Sequence, residues 1–188
     1  MVLRICGALF GLVLVVQPVL ADSLDLNIHT DAMRVTYARA IGQAERGLEF
    51  DAGLLYAKNP GETDNLVHAG LMVAGQNWSH QGNFDISLGG RVVAADIKAG
   101  NVLGMAIGGR VRFSPVNRFG IGGQLFYAPK ITSFLDSEEY TEWGVAADYQ
   151  LLTQAFVYVG YRRVEVKIKD KGTAQIDDNL HLGMKLLF

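Results

Sequence analysis

From Asp22 onward, apolar residues recur at every second position, in segments of about ten residues broken by turn-forming residues. Leu24, Leu26 and Ile28 alternate with Asp25, Asn27 and His29, and Met33, Val35 and Tyr37 with Arg34 and Thr36. The same rhythm runs through residues 48–56, 67–73, 84–88, 103–113, 121–127, 143–149, 157–161 and 180–188. Successive side chains on a strand point to opposite faces, so each segment has one apolar face and one polar or small face. The pattern predicts ten strands. Connections over 43–47, 77–82, 114–118 and 152–154 are short, that at Thr30-Asp31 is tight, and those over 59–65, 95–101, 130–139 and 169–178 are longer. Short turns at one end and longer loops at the other are the layout of outer-membrane barrels, and ten strands put both termini on the short-turn side. Residues 23–41 support two readings. As a hairpin they complete ten strands. Because Tyr37, Ile41, Ala44 and Leu48 also fit helical spacing, they could instead lie outside a barrel of eight strands as an N-terminal segment.

The first 21 residues break this rhythm. Arg4 precedes an apolar run over residues 5–16, then Gln17-Pro18 and the small-residue site Val19-Leu20-Ala21. That is the layout of a cleavable signal peptide, and the run is shorter than the about 20 residues a membrane helix needs. The expected mature domain is therefore residues 22–188. The single cysteine, Cys6, falls in the removable part, so no disulfide, thiolate nucleophile or Cys-ligated metal is expected. Net charge is −2, and loss of Arg4 makes it −3, which gives nucleic-acid binding little support.

Alternation alone does not say which face looks inward. A soluble barrel buries its apolar face, whereas a membrane barrel turns it to lipid. Arg110, Arg112, Glu49, Asp51, Asp148 and Arg162 share the faces opposite continuous apolar segments, a poor choice for a soluble core. Aromatics gather near strand ends, as they do at lipid headgroups: Phe113, Phe119, Tyr149 and Phe156 by short turns, and Tyr56, Tyr127, Tyr140 and Trp143 by long ones. The chain closes on alternating Met184, Leu186 and Phe188, which look like the terminal signal read by the β-barrel assembly machinery. In hydrocarbon every backbone amide must be paired, so such a sheet must close. The expectation is an all-β fold: a closed antiparallel up-and-down transmembrane β-barrel, monomeric, in the outer membrane of a Gram-negative bacterium. Lipid, and lipopolysaccharide among it, would be its neighbours. A soluble periplasmic barrel with an apolar ligand ranks behind it.

This phase sends Arg34, Arg91, Arg110, Arg112, Arg162 and Lys185 into the lumen, against Asp25, Glu49, Asp51, Asp85, Glu142 and Asp148. Charges confined in a narrow interior must pair. The expected site is thus an ion-paired lumen that plugs the barrel, with a narrow polar pore or small-ligand site as the sharper alternative. No catalytic residue, metal site or cofactor is expected: His-x-His, Cys pairs and close His/Asp clusters are absent from the sequence. A lipid-modifying hydrolase or acyltransferase would need Ser and His together, and Trp78-Ser79-His80 is the one adjacent pair, in an expected turn. The acids over 170–178 read as a solvated loop, and Gly108-Gly109 and Gly122-Gly123 as close packing in a barrel wall.

The motifs Gly108-Gly109-Arg110-Val111-Arg112-Phe113, residues 120–129 with their Phe-Tyr-Ala-Pro ending, Ser137-Glu138-Glu139-Tyr140 and Gly160-Tyr161-Arg162-Arg163 follow one another in order before the terminal strand. In that order the chain resembles the YfaZ family of outer-membrane proteins, well over residues 101–188 and loosely over 47–95. The resemblance implies an outer-membrane β-barrel and supplies no catalytic residues. The N-terminal segment here is longer and more charged than the family's.

Overall fold

The computed structural model describes residues 22–43, 46–59, 62–79 and 82–188; the expected signal peptide and His80 lie outside them. The strands are β1 (Asp22–Ile28), β2 (Ala32–Gln43), β3 (Arg46–Asn59), β4 (Glu62–Ser79), β5 (Gly82–Ile97), β6 (Gly100–Val116), β7 (Phe119–Ala128), β8 (Ser133–Leu135), β9 (Ser137–Leu152), β10 (Ala155–Ile168) and β11 (Gly172–Leu187). Each of the ten long strands pairs antiparallel with its neighbours, β7 with β9, and β1 with β11 closes the ring. The seam is sealed by reciprocal 2.9 Å hydrogen bonds between the backbones of Asp22 and Phe188. The fold is the expected closed barrel, and residues 23–41 form the hairpin, which settles the count at ten strands.

The fragment β8 explains an irregularity in the wall. Ile107 of β6 faces Tyr127, yet Gly104 faces Ser133. Three steps along β6 thus match six along its partner, so three residues bulge out, through the 3-10 turn Lys130–Thr132. β8 then resumes the place of β7 beside β6.

Ile107, Leu125 and Val145 are 69%, 55% and 53% exposed, whereas Arg110 and Asp148 line an internal cavity. The apolar face therefore looks outward. Leu180, Leu182, Met184, Leu186 and Phe188 form a nine-residue outward stretch on the last strand, within the about 9–11 residues a tilted strand uses to cross hydrocarbon. Tyr56, Tyr127 and Trp143 edge this belt on one side, and Phe113, Tyr149 and Phe188 on the other.

Beyond the belt the strands invert their polarity without changing phase. On β10, Val159 and Tyr161 point out while Tyr158 and Arg162 point in; from Arg163 onward Arg163, Glu165 and Lys167 point out while Val164, Val166 and Ile168 are buried. On β5 the inward series changes from Asp85 and Arg91 to Val93, Ala95 and Ile97, with Asp96 exposed outside. The upper barrel is built like a soluble one, with a dry core of Leu55, Leu66, Val93, Val102, Phe126 and Ile176 among others. This corrects the expectation of long loops. β5 and β6 are joined by residues 98–99 alone, and β11 begins at Gly172, so most of 169–178 is strand. The polar residues there had the composition of loops because their outer face meets water.

The belt makes a depth-dependent expectation. Ile107→Arg should destabilise the barrel in lipid vesicles by about 2–4 kcal/mol, and Thr63→Arg, outward but beyond the belt, by about 0–1 kcal/mol, read from denaturant unfolding.

Candidate functional site

Three layers stack along the axis. At the end away from the termini lies the apolar core. A charged girdle crosses the middle. Toward the termini the lumen opens into a vestibule.

The girdle is organised around two buried carboxylates. Glu142, 1% exposed, accepts hydrogen bonds from Arg34 Nη1 at 2.7 Å, Gln124 Nε2 at 2.7 Å and the Tyr140 hydroxyl at 2.6 Å. Arg91 Nη1 stands 3.8 Å away. Asp51 is fully buried, accepts a hydrogen bond from Arg91 and lies 3.5 Å from His68 Nε2. Arg34 Nη2 reaches His68 Nδ1 at 3.3 Å and joins the two halves. Arg91 also stacks on Phe126, its guanidinium carbon 3.7 Å from the ring centroid, where girdle meets apolar core. On the far wall Arg162 donates to Asp177 from Nε at 2.7 Å and to Asn27 at 2.8 Å, and His29 Nε2 lies 3.1 Å from Asp177. Glycine makes room for these flat-lying side chains: a Cβ at Gly70 would stand 2.5 Å from both Arg91 and Asp51.

The vestibule is a cavity of about 580 Å³. Arg112 grips Asp148 through two hydrogen bonds of 2.8 and 2.6 Å, with Asp85 3.6 Å from Nη1. Arg110 donates to Glu49. The Tyr158 hydroxyl donates to Asp25 at 2.5 Å, its ring lying across Gly183, where a Cβ would stand 2.1 Å from the ring carbon Cζ.

All twelve lumen residues singled out in the sequence face this interior. The structure joins Arg34 to Glu142, Arg91 to Asp51 and Glu142, Arg110 to Glu49, and Arg112 to Asp148 and Asp85. Arg162 pairs with Asp177, which sequence reasoning had placed in a loop, and Lys185 pairs with none of them. His68, Asn27 and Gln124 join them unannounced by the sequence, and Tyr140, expected among the aromatics at lipid headgroups, is instead buried inward with its hydroxyl on Glu142. The residues over 163–168 held a usable signal for the apolar core: strict alternation in the opposite polarity to the belt. Met184, Leu186 and Phe188 sit on the outer face of the closing strand.

Outside the core the loop end is latched. Lys169 Nζ donates to the Leu135 carbonyl at 2.6 Å and Lys171 Nζ to that of Ala99 at 2.8 Å. Lys130, hydrogen-bonded to Glu138 at 2.7 Å, holds that carboxyl below its ordinary range. Among the described residues, no group of three or more His, Cys, Asp or Glu is arranged to hold a metal ion.

Stranding a buried charge is costlier than losing an exposed pair. Glu142→Gln should cost about 3–5 kcal/mol, because Arg34 loses its ionic partner in a dry interior. Glu165→Gln, which removes the outer pair with Arg163, should cost about 0–1 kcal/mol. Urea unfolding of the two variants in the same vesicles measures the difference.

No curated protein matches this chain. A family model described as YfaZ precursor matches residues 4–188, and so takes in the N-terminal hairpin as well as the later motifs. With a match that spans nearly the whole chain and all ten long strands of the barrel, this protein belongs to the YfaZ precursor family.

Proposed function

We propose that this protein is an integral outer-membrane β-barrel of a Gram-negative bacterium, exported by residues 1–21 and closed at its outer end. The observation that carries this reading is the polarity inversion along the strands. An apolar belt faces out for the height of a hydrocarbon layer, and directly beyond it the same faces turn polar. An environment that changes from lipid to water over one strand suits that pattern. The word precursor in the family description fits an exported chain. Both termini then lie on the periplasmic side, as in bacterial barrels with an even number of strands. Lipid is the neighbour of the belt, and the exposed Lys167 and Lys58 just beyond it suit the phosphates of lipopolysaccharide. Met184, Leu186 and Phe188 would be read by the assembly machinery before insertion, and the finished barrel would be a monomer.

The role is a structural or ligand-binding one, not conduction and not catalysis. The vestibule ends at the girdle, and Leu55, Leu66, Phe126 and Tyr140 above it are at most 1% exposed. An open pore would need a continuous polar path with one sign of charge at its constriction. Lipid hydrolysis through Ser79 and His80 gains nothing from the lumen, where His29 and His68 engage Asp177 and Arg34, not a hydroxyl nucleophile.

Membrane fractionation with gel mobility before and after boiling tests the reading. The expected result is an outer-membrane protein whose unboiled band migrates apart from the boiled one; a soluble, heat-insensitive chain would refute it. In planar bilayers the purified barrel should give no stable single-channel openings, and reproducible openings would refute the closed lumen.

A further inference from the structure

At the inner end of the vestibule a recess of about 90 Å³ reaches the girdle. Its walls carry four cationic side chains, Arg34, Arg91, Arg110 and Lys185, and one carboxylate, Asp25; the Thr36 hydroxyl also lines it. Asp25 accepts the Tyr158 hydroxyl and remains an anion, so it offsets one of the four cations. Lys185 is its cross-strand partner in register, yet among the described residues its ammonium makes neither a hydrogen bond nor an ion pair. Arg91 is 4% exposed and uses one nitrogen on Asp51; its Nη1 lies 3.8 Å from Glu142, beyond hydrogen-bond reach, and among the described residues its Nε and Nη1 have no hydrogen-bond acceptor. Buried donors without acceptors are rare, and they mark a place where an acceptor belongs.

We propose that this recess is an oxyanion site: the carboxylate or phosphate of a small solute binds between Lys185, Arg91 and Arg110. The recess is large enough to take such a group. The rest of a ligand has the 580 Å³ vestibule, a size within the about 300–1,000 Å³ of small-molecule sites. There Phe156 and Tyr158 are among the lining residues. Asp148 is held by Arg112 and Glu49 by Arg110, so the anion takes from Arg110 only the donors that Glu49 leaves free, and Lys185 supplies the added charge. Access is one-sided. The apolar core closes the other end, so the solute comes from the side that bears the termini, the periplasm if the outer-membrane reading holds.

The test is calorimetric titration of the folded barrel in detergent with inorganic phosphate and, separately, benzoate, at constant ionic strength set by chloride. Saturable binding of either anion is expected, and which one binds tells a phosphate site from a carboxylate site. Lys185→Gln should weaken it by at least about tenfold, the worth of one charge-assisted hydrogen bond. Arg163→Gln, on the outer face where Arg163 pairs with Glu165, should leave it unchanged. Lys185→Met, with a side chain of similar length, is the second variant should the glutamine one fail to fold. No saturable binding by the folded wild type, or affinity unchanged in a folded Lys185 variant, overturns the site. Gel mobility before and after boiling, on the same samples, separates the two readings. A heat-modifiable barrel that binds neither anion overturns the oxyanion site alone, and a chain without the heat shift overturns the membrane barrel with it.

Discussion

Pairing of β1 with β11 closes the sheet, and once it is closed, every second side chain is committed to an enclosed space only as wide as ten strands allow. No edge is left to bind another chain, and no inward residue can escape to bulk solvent without leaving the wall. The lumen must therefore satisfy itself. Each inward charge needs a partner across the axis or along the wall, and each inward ring needs a gap to lie in. The girdle around Glu142 and Asp51, and the glycines beneath Arg91 and Tyr158, are two answers to that one demand.

The same closure gives the strands a second task. Through the belt, the outer face is apolar and the inner face charged. Above it the assignments exchange, and Val164, Val166 and Ile168 pack inside while Glu165 and Lys167 meet water. A dry core above and a charged girdle below fill the lumen across the axis. Arg91 belongs to both layers, with its guanidinium against Phe126 and its hydrogen bond to Asp51. The barrel is thus a cup closed at one end, and whatever chemistry it has must act at the belt, at the rim or within the cup. Within the cup, Lys185 stands beside Asp25 in register and, among the described residues, makes no ion pair.

A buried network of this kind is not a simple gain in stability. Desolvating Arg34 and Glu142 costs much of what their attraction returns, and apolar residues of the same size could fill the space as well. What such a network adds is register: a strand slipped by one residue would turn Arg162 to the outside and Tyr161 to the inside. The apolar core above imposes the same register from its own side. The two layers agree, and that agreement defines a single barrel.

Strand positions, barrel closure and the inward set from Arg34 to Lys185 were legible in the linear order of residues, because side-chain direction on a strand depends only on parity. Parity also told which residues share the lumen, but not which of them touch. Asp177 keeps the inward parity of Lys185 and lies two steps from Asn179, which faces Arg162, but its acidic neighbours gave the segment the look of a loop; the bulge beside Val164 and Glu165 turns Ile176 inward as well, and no periodic pattern announces a bulge. The extent of the upper strands was hidden for a related reason: Asn65, Asp96 and Lys167 have turn-like or polar identities, and only the sheet shows that they are the wet face of continuous strands. The cup, its closed end and its recess belong to the tertiary structure alone. They arise from distances across the axis between residues as far apart in sequence as Arg34 and Glu142, and those distances exist only once the ring has closed.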